Sequence, residues 1–269
     1  MRTSGVGILL LILTSLSGCA PFLDSPYSDQ LLRSERRLNQ KSQGEIGNPE
    51  ADGTVRIAVI ADSHQNYREL DETIFAINNA ADVDFVVNLG DFTNSGYNLE
   101  FDQFIDSYVQ IRRPAFTLQG NHDSIGAGPA LFQKAFGGPN FWFETSSKRW
   151  IFFHTNDLED LEHFDPQWLK DAVDGSAKPV VIFSHAQLTD DARYGAATRA
   201  QLTAIQADAK VVLTLNGHNH IYELTDNAGT AVLQVPRVEN DWVLLEIQGT
   251  SLTIRQMKSG ASTSVTLKQ

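Results

Sequence analysis

An α/β domain carrying a mixed second sheet is the fold class this 269-residue chain predicts. Near-continuous apolar runs of strand length recur along it, and amphipathic runs of helical spacing separate the first three. The last fifty residues read differently, as short strands divided by turn residues.

Residues 55–61, with Val55, Ile57, Val59 and Ile60, suit a strand buried on both faces. Leu70, Ile74 and Ile77 then repeat at helical spacing. Residues 85–89 give the second strand. Phe101, Phe104, Ile105 and Tyr108 line a second helix that must stop before Pro114, and 115–118 give the third strand. Strand, helix, strand, helix, strand argues for parallel pairing with right-handed crossovers. Further buried strands are expected at 150–153, 180–183 and 211–215. Short strands at 222–224, 231–235, 242–247 and 252–255 resemble an antiparallel meander.

The composition, 42% apolar and 20% charged, is that of a globular protein and rules out wholesale disorder. Against 21 Lys and Arg stand 33 Asp and Glu, a formal net charge of −12. Such a surface repels a phosphate backbone, so no duplex nucleic acid partner is expected. One cysteine excludes an internal disulfide and any zinc site built from several thiolates.

Residues 1–18 read as an export signal. Arg2 precedes the apolar run 6–13, which is followed by the small and polar residues Thr14, Ser15, Ser17 and Gly18. The run is well short of the roughly 20 residues that cross a bilayer core. The sole cysteine, Cys19, follows Leu16-Ser17-Gly18 directly. This arrangement resembles a bacterial lipoprotein signal, which implies acylation of Cys19, a membrane partner and a place in the cell envelope. With Ala20 next, a host with two membranes would carry the protein on the outer one, facing the periplasm. Residues 19–53, with Pro21, Pro26 and Pro49, read as the lipidated cysteine and a tether, in which 27–41 could form a surface helix.

Chemistry gathers where the apolar strands end. The first ends in Asp62-Ser63-His64, the second in Gly90-Asp91, and the third in Gly120-Asn121-His122-Asp123. The run at 180 ends in His185, and the run at 211 in Gly217-His218-Asn219-His220. Ligands of open α/β sheets collect outside the carboxyl ends of strands, so these distant residues are expected to converge. Carboxylate, imidazole and carboxamide without thiolate suit Zn²⁺, Mn²⁺ or iron. There are too many donors for one ion; two ions sharing a carboxylate use them all.

The five motifs, in this order, resemble those of the calcineurin-like metallophosphoesterases over residues 54–269. That resemblance implies a four-layer α/β/β/α sandwich of two mixed sheets flanked by helices, and a dinuclear metal-dependent phosphoesterase acting on a phosphate-ester substrate. One divalent ion would take Asp62, His64, Asp91 and His220. The second would take Asp91, Asn121, His185 and His218, with Asp91 as the bridge. A metal-bridging hydroxide would be the nucleophile and His122 the general acid.

The pattern Gly90-Asp91-Phe92-Thr93-Asn94 is similar to that of the small phosphodiesterases. It lacks the tyrosine of purple acid phosphatases at position 94. It also lacks the Asp-Arg pair of protein Ser/Thr phosphatases, since Ser95 follows Asn94. Asn94 is expected to hydrogen-bond to His122. A phosphodiesterase is therefore expected, with a phosphomonoesterase of the same family and a non-catalytic metal-binding envelope lipoprotein as alternatives. Outside the motifs, His154 is a candidate for supporting the cleft, and His163 is expected in solvent within the acidic stretch 157–165. Trp142, Arg193, Tyr194 and Arg237 are candidates for shaping a substrate pocket.

Overall fold

The apolar runs become two sheets. In a computed structural model describing residues 25–269, β1 (Val55–Ile60), β2 (Phe85–Asn88) and β3 (Ala115–Thr117) lie side by side and parallel. They are linked through α2 (Tyr67–Asn79) and α3 (Asn98–Tyr108), after a short α1 at Leu38–Glu45. Then follow α4 (Gly128–Ala135), β4 (Phe141–Glu144), β5 (Arg149–Phe153), α5 (Pro166–Asp174), β6 (Val180–Ser184), α6 (Ala196–Gln206) and β7 (Val211–Asn216). Five strands close the chain: β8 (Glu223–Asn227), β9 (Thr230–Gln234), β10 (Val243–Gln248), β11 (Ser251–Gln256) and β12 (Ser262–Thr266).

The first sheet runs β12-β11-β10-β1-β2-β3 and the second β4-β5-β6-β7-β9-β8; both are mixed. Alternation along each strand sends one set of side chains between the sheets and the other under the helices. Ile57, Val59, Phe85, Val87 and Phe116 meet Trp150, Phe152, Phe183 and Leu215 between the sheets. Ala58, Ile60 and Val86 face α2, α3 and α4 instead, while Ile151, Ile182 and Val211 face α5 and α6. Helix, sheet, sheet and helix make four layers.

The last fifty residues depart from the expected meander. The β8–β9 hairpin joins the second sheet, where β9 runs parallel to β7, whereas β10, β11 and β12 return to the first. Val243, Leu245 and Ile247 carry the reason: they continue the inter-sheet core, and their strand pairs along the edge of β1 from Val55↔Ile247 to Val59↔Val243.

The signal 1–18 and Cys19 lie outside the described residues. From Ser25 onward, the stretch read as a tether is packed against the domain. Residues 25–37 are irregular, and the only helix is α1, further along than 27–41. Leu31 and Leu38 are buried with the helix-side core. Asn39 donates from Nδ2 to the carbonyl of Thr117 at 2.9 Å and accepts its N–H at 2.8 Å. Ser42 Oγ accepts the N–H of Ala115. Since β3 is an edge strand, these side chains satisfy main-chain groups that no neighbouring strand reaches. No helix among the described residues is long and apolar enough to cross a membrane.

Candidate active site

The carboxyl ends of β1, β2, β3, β6 and β7 converge. Asp62, His64, Asp91, His218 and His220 all adopt left-handed backbone conformations, with φ between 47° and 73°. Non-glycine residues rarely do so, and each costs on the order of 1–3 kcal/mol unless its surroundings enforce it. The enforcement is main-chain hydrogen bonding between loops: Asp62 N donates to Gly90 O at 3.0 Å, His64 N to Asp91 O at 2.8 Å, and Gly217 N to His185 O at 3.0 Å. Glycines allow the close approach. A Cβ on Gly90 would stand 2.6 Å from Gly120 N, and one on Gly217 would stand 2.6 Å from Asp62 Oδ2.

Two donor sets result. Asp62, His64 and His220 present ligand atoms within 4.8 Å of one another, and so do Asp91, His185 and His218. Asn121 joins the second, its Oδ1 3.0 Å from His185 Nε2. Asp91 Oδ2 lies 3.3 Å from the same nitrogen, and Asp91 also acts electrostatically on His64 and His220. The structure thus gathers all seven residues expected as ligands.

The donors fit metal ions. His64 and His185 each donate Nδ1–H to a main-chain carbonyl, of Thr93 at 3.1 Å and of Leu89 at 2.9 Å. Each Nε2 is then a bare lone pair. His64 Nε2 faces His220 Nε2 at 3.4 Å, and His185 Nε2 faces Asn121 Oδ1, Asp91 Oδ2 and His218 Nδ1. Acceptors converging on acceptors need a cation between them.

Electrostatics agree. Burial lowers His64, lowers His220 and takes His218 down to about 4, favouring the neutral imidazoles that metals bind. Burial raises Asp62 to about 7, a cost that a nearby cation removes. His185 is the exception. Burial would lower it, but Asp91, Asp62 and the Leu89 carbonyl together outweigh burial and lift it to about 9, so a proton takes the cation's place when no metal is bound.

Asp123, the last residue of the third motif, is structural. Fully buried, it accepts N–H bonds from Asp91, Thr93 and Gly120 at 2.8–2.9 Å and so joins the second and third loops. His122 stands on the rim, its ring 5.0 Å from that of His64, and its N–H binds Asp91 Oδ1 at 2.9 Å. Its Nδ1 contacts Asn94 through the main-chain oxygen, where a side-chain contact was expected.

Other candidates settle elsewhere. His154 is buried, 3.4 Å from Asp160 and away from both donor sets. His163 is paired with the same carboxylate rather than solvated. Arg193 and Tyr194 hold the Thr155 carbonyl, and Trp142 stacks under Arg149. Arg237 does line the cleft, in a cavity shared with His64.

A pair of adjacent N/O donor sets at the strand ends of a four-layer sandwich defines a dinuclear metallohydrolase. The calcineurin-like phosphoesterase model matches residues 55–222, and the chain belongs to that family. It is a metallophosphoesterase, a hydrolase of phosphoric ester bonds. Similar folds include a dimetal phosphatase from Danio rerio, 14% identical, with TM-score 0.64 over 79% of this chain and 98% of that one. A purple acid phosphatase from yellow lupin is 14% identical, with TM-score 0.62 over 79% and 54% of the two chains. GAP50, described as the anchor in the inner membrane complex of Plasmodium, is 16% identical, with TM-score 0.62 over 80% and 90%. No curated protein matches the chain in sequence.

Proposed function

We propose that this protein is a phosphodiesterase working through two divalent ions, Mn²⁺, Fe²⁺ or Zn²⁺, and held to a bacterial envelope membrane by acylated Cys19. The observation that carries the catalytic reading is the adjacency of the two donor sets to His122. Bound divalent ions supply Lewis acidity toward phosphoryl oxygens and bring water's pKa toward neutrality. Asp62, His64 and His220 would hold one ion and Asn121, His185 and His218 the other, with Asp91 between them.

Asn94 O fixes the Nδ1–H of His122 at 2.8 Å, so Nε2 is the nitrogen that delivers a proton. As the bond from phosphorus to the departing oxygen breaks, that oxygen takes the Nε2 proton and leaves as an alcohol. A diester needs room for a second arm. The open cavity beside His64, lined by Gln65, Asn66, Asn94 and Arg237, supplies it.

The signal motif supports the anchor, as does the path of the chain. Tyr27 packs on Tyr97 at 5.6 Å, three residues from Asn94 on the site's rim. Tyr27 lies eight positions beyond Cys19, a reach of at most about 28 Å. The centre would therefore work close to the membrane surface.

Metal-stripped protein reloaded with Mn²⁺ tests the chemistry on bis(p-nitrophenyl) phosphate and p-nitrophenyl phosphate. Faster turnover of the diester supports the reading; faster turnover of the monoester makes the protein a phosphomonoesterase. Mass spectrometry of the N-terminal peptide tests the anchor, for which an unmodified Cys19 is the contrary result.

A further inference from the structure

Among the residues described around the cleft cavity, Arg237 supplies the cation, and a single carboxylate meets it. Its guanidinium meets Glu239 through Nε, and its two terminal nitrogens make no hydrogen bond among the described residues. Arginines with more deeply buried side chains differ. Arg149 spends its fork on Glu144 and the Ala172 carbonyl, and Arg193 spends its own on Thr155 O and Glu159. A guanidinium carries five donors in a rigid plane matched to phosphoryl and carboxylate oxygens.

Its position is fixed by the fold. Val238 N donates to Ala61 O at 2.9 Å, tying the loop to the end of β1 beside Asp62. Arg237 O accepts the N–H groups of Asn240 and Asp241, and Lys258 Nζ clamps the carbonyl of Val238 at 2.6 Å. The side chain therefore enters a cavity of about 340 Å³ that it shares with His64, Gln65, Asn66 and Asn94. Gln65 commits its amide nitrogen to Glu100, whereas the Asn66 side chain makes no hydrogen bond among the described residues and can donate.

We propose that Arg237, assisted by Asn66, forms a subsite for a second anionic group, so that the substrates taken best are phosphate esters with a further phosphoryl or carboxylate group on one arm. This rests on the cleft being the phosphoesterase centre. Arg237 would be a specificity residue: it holds the arm and leaves bond cleavage to the metal set and His122.

Calorimetry on the metal-loaded, detergent-solubilised mature chain tests it with three probes. Methylphosphonate carries one anionic group, phosphonoacetate adds a carboxylate, and methylenediphosphonate adds a second phosphoryl group. One or both two-headed probes should bind at least about tenfold tighter than methylphosphonate, as a charge-assisted guanidinium contact warrants, and the tighter one identifies the arm. Arg237→Ala should abolish that advantage, and Arg237→Lys should keep part of it, with metal content unchanged in both.

Equal binding of all three probes by the unaltered protein overturns the proposal. So does an advantage that survives in Arg237→Ala, which would mean chelation by the metals alone. Loss of metal from both variants would make Arg237 a structural residue and overturn it as well. If the two-headed preference appears but no ester is hydrolysed, the phosphodiesterase reading fails and the subsite stands. If esters are hydrolysed without the preference, the subsite fails alone.

Discussion

The Nδ1–H of His122 is held by the main-chain carbonyl of Asn94 at 2.8 Å. Any residue at position 94 offers that oxygen, so the imidazole stays oriented without the carboxylate other branches of the family place there. Asn94→Ala should accordingly change kcat by no more than about threefold, under 1 kcal/mol. His122→Ala should cost about 10²–10⁴-fold on an alkyl ester, whose leaving oxygen needs a proton, and much less on a p-nitrophenyl ester. Steady-state rates over a series of leaving groups check both.

Gly217 lets the loop after β7 lie against Asp62. A Cβ there would stand 2.6 Å from Asp62 Oδ2 and 3.0 Å from Ala61 Cβ, so the carboxylate must move. Gly217→Ala should weaken the metal held by Asp62, His64 and His220 by about 10–100-fold, the range seen when ligand support is disturbed. Gly195→Ala, in open space, should leave affinity unchanged. Metal titration with equilibrium dialysis reads both.

His154 predicts a pH effect away from the metal centre. Burial takes it down to about 4 from an ordinary 6.5, against the pull of Asp160. Between those values the unfolded chain binds more protons than the folded one, so stability rises with pH through the window and is lost as pH falls. The full difference is worth roughly 3 kcal/mol. Asp160, 3.4 Å from His154 Nε2, is also paired with His163, so His154→Leu removes the titration without leaving that carboxylate unpartnered. Between pH 4 and 6.5 its Tm should fall less steeply on acidification than that of the unaltered protein.

Asn39 seals the open edge of β3 with two hydrogen bonds to Thr117. Asn39→Ala leaves a buried N–H and a buried C=O unpaired, at about 1–3 kcal/mol each. Tm should drop by roughly 4 °C or more, at the 2–4 °C per kcal/mol usual for chains of this size. Thermal melts followed by circular dichroism measure it.

The candidate metal centre was legible because every donor type is chemically distinctive and each follows an apolar run that only a buried strand explains. The supports were not. Thr93 O, Leu89 O and Asn94 O act through the main chain, which leaves no mark on residue identity. Asp123 stands inside a motif, but only the fold shows that it faces Asp91 N and Thr93 N rather than an ion. The strap was hidden by its polarity. In α1 the buried residues are Leu38, Asn39 and Ser42, and two of the three are polar because they serve a strand edge. Strand β12 is mostly exposed Ser and Thr, and whether each late strand joins the first or second sheet depends on partners far away in sequence.

The most direct measurement is a titration of metal-free protein with Mn²⁺, following bound metal and hydrolysis of bis(p-nitrophenyl) phosphate together. Two equivalents should bind per chain, activity should rise with the second, and Asp91→Asn should lose that equivalent and the activity with it. Saturation at one equivalent, or turnover indifferent to metal or to Asp91, would contradict the dinuclear centre.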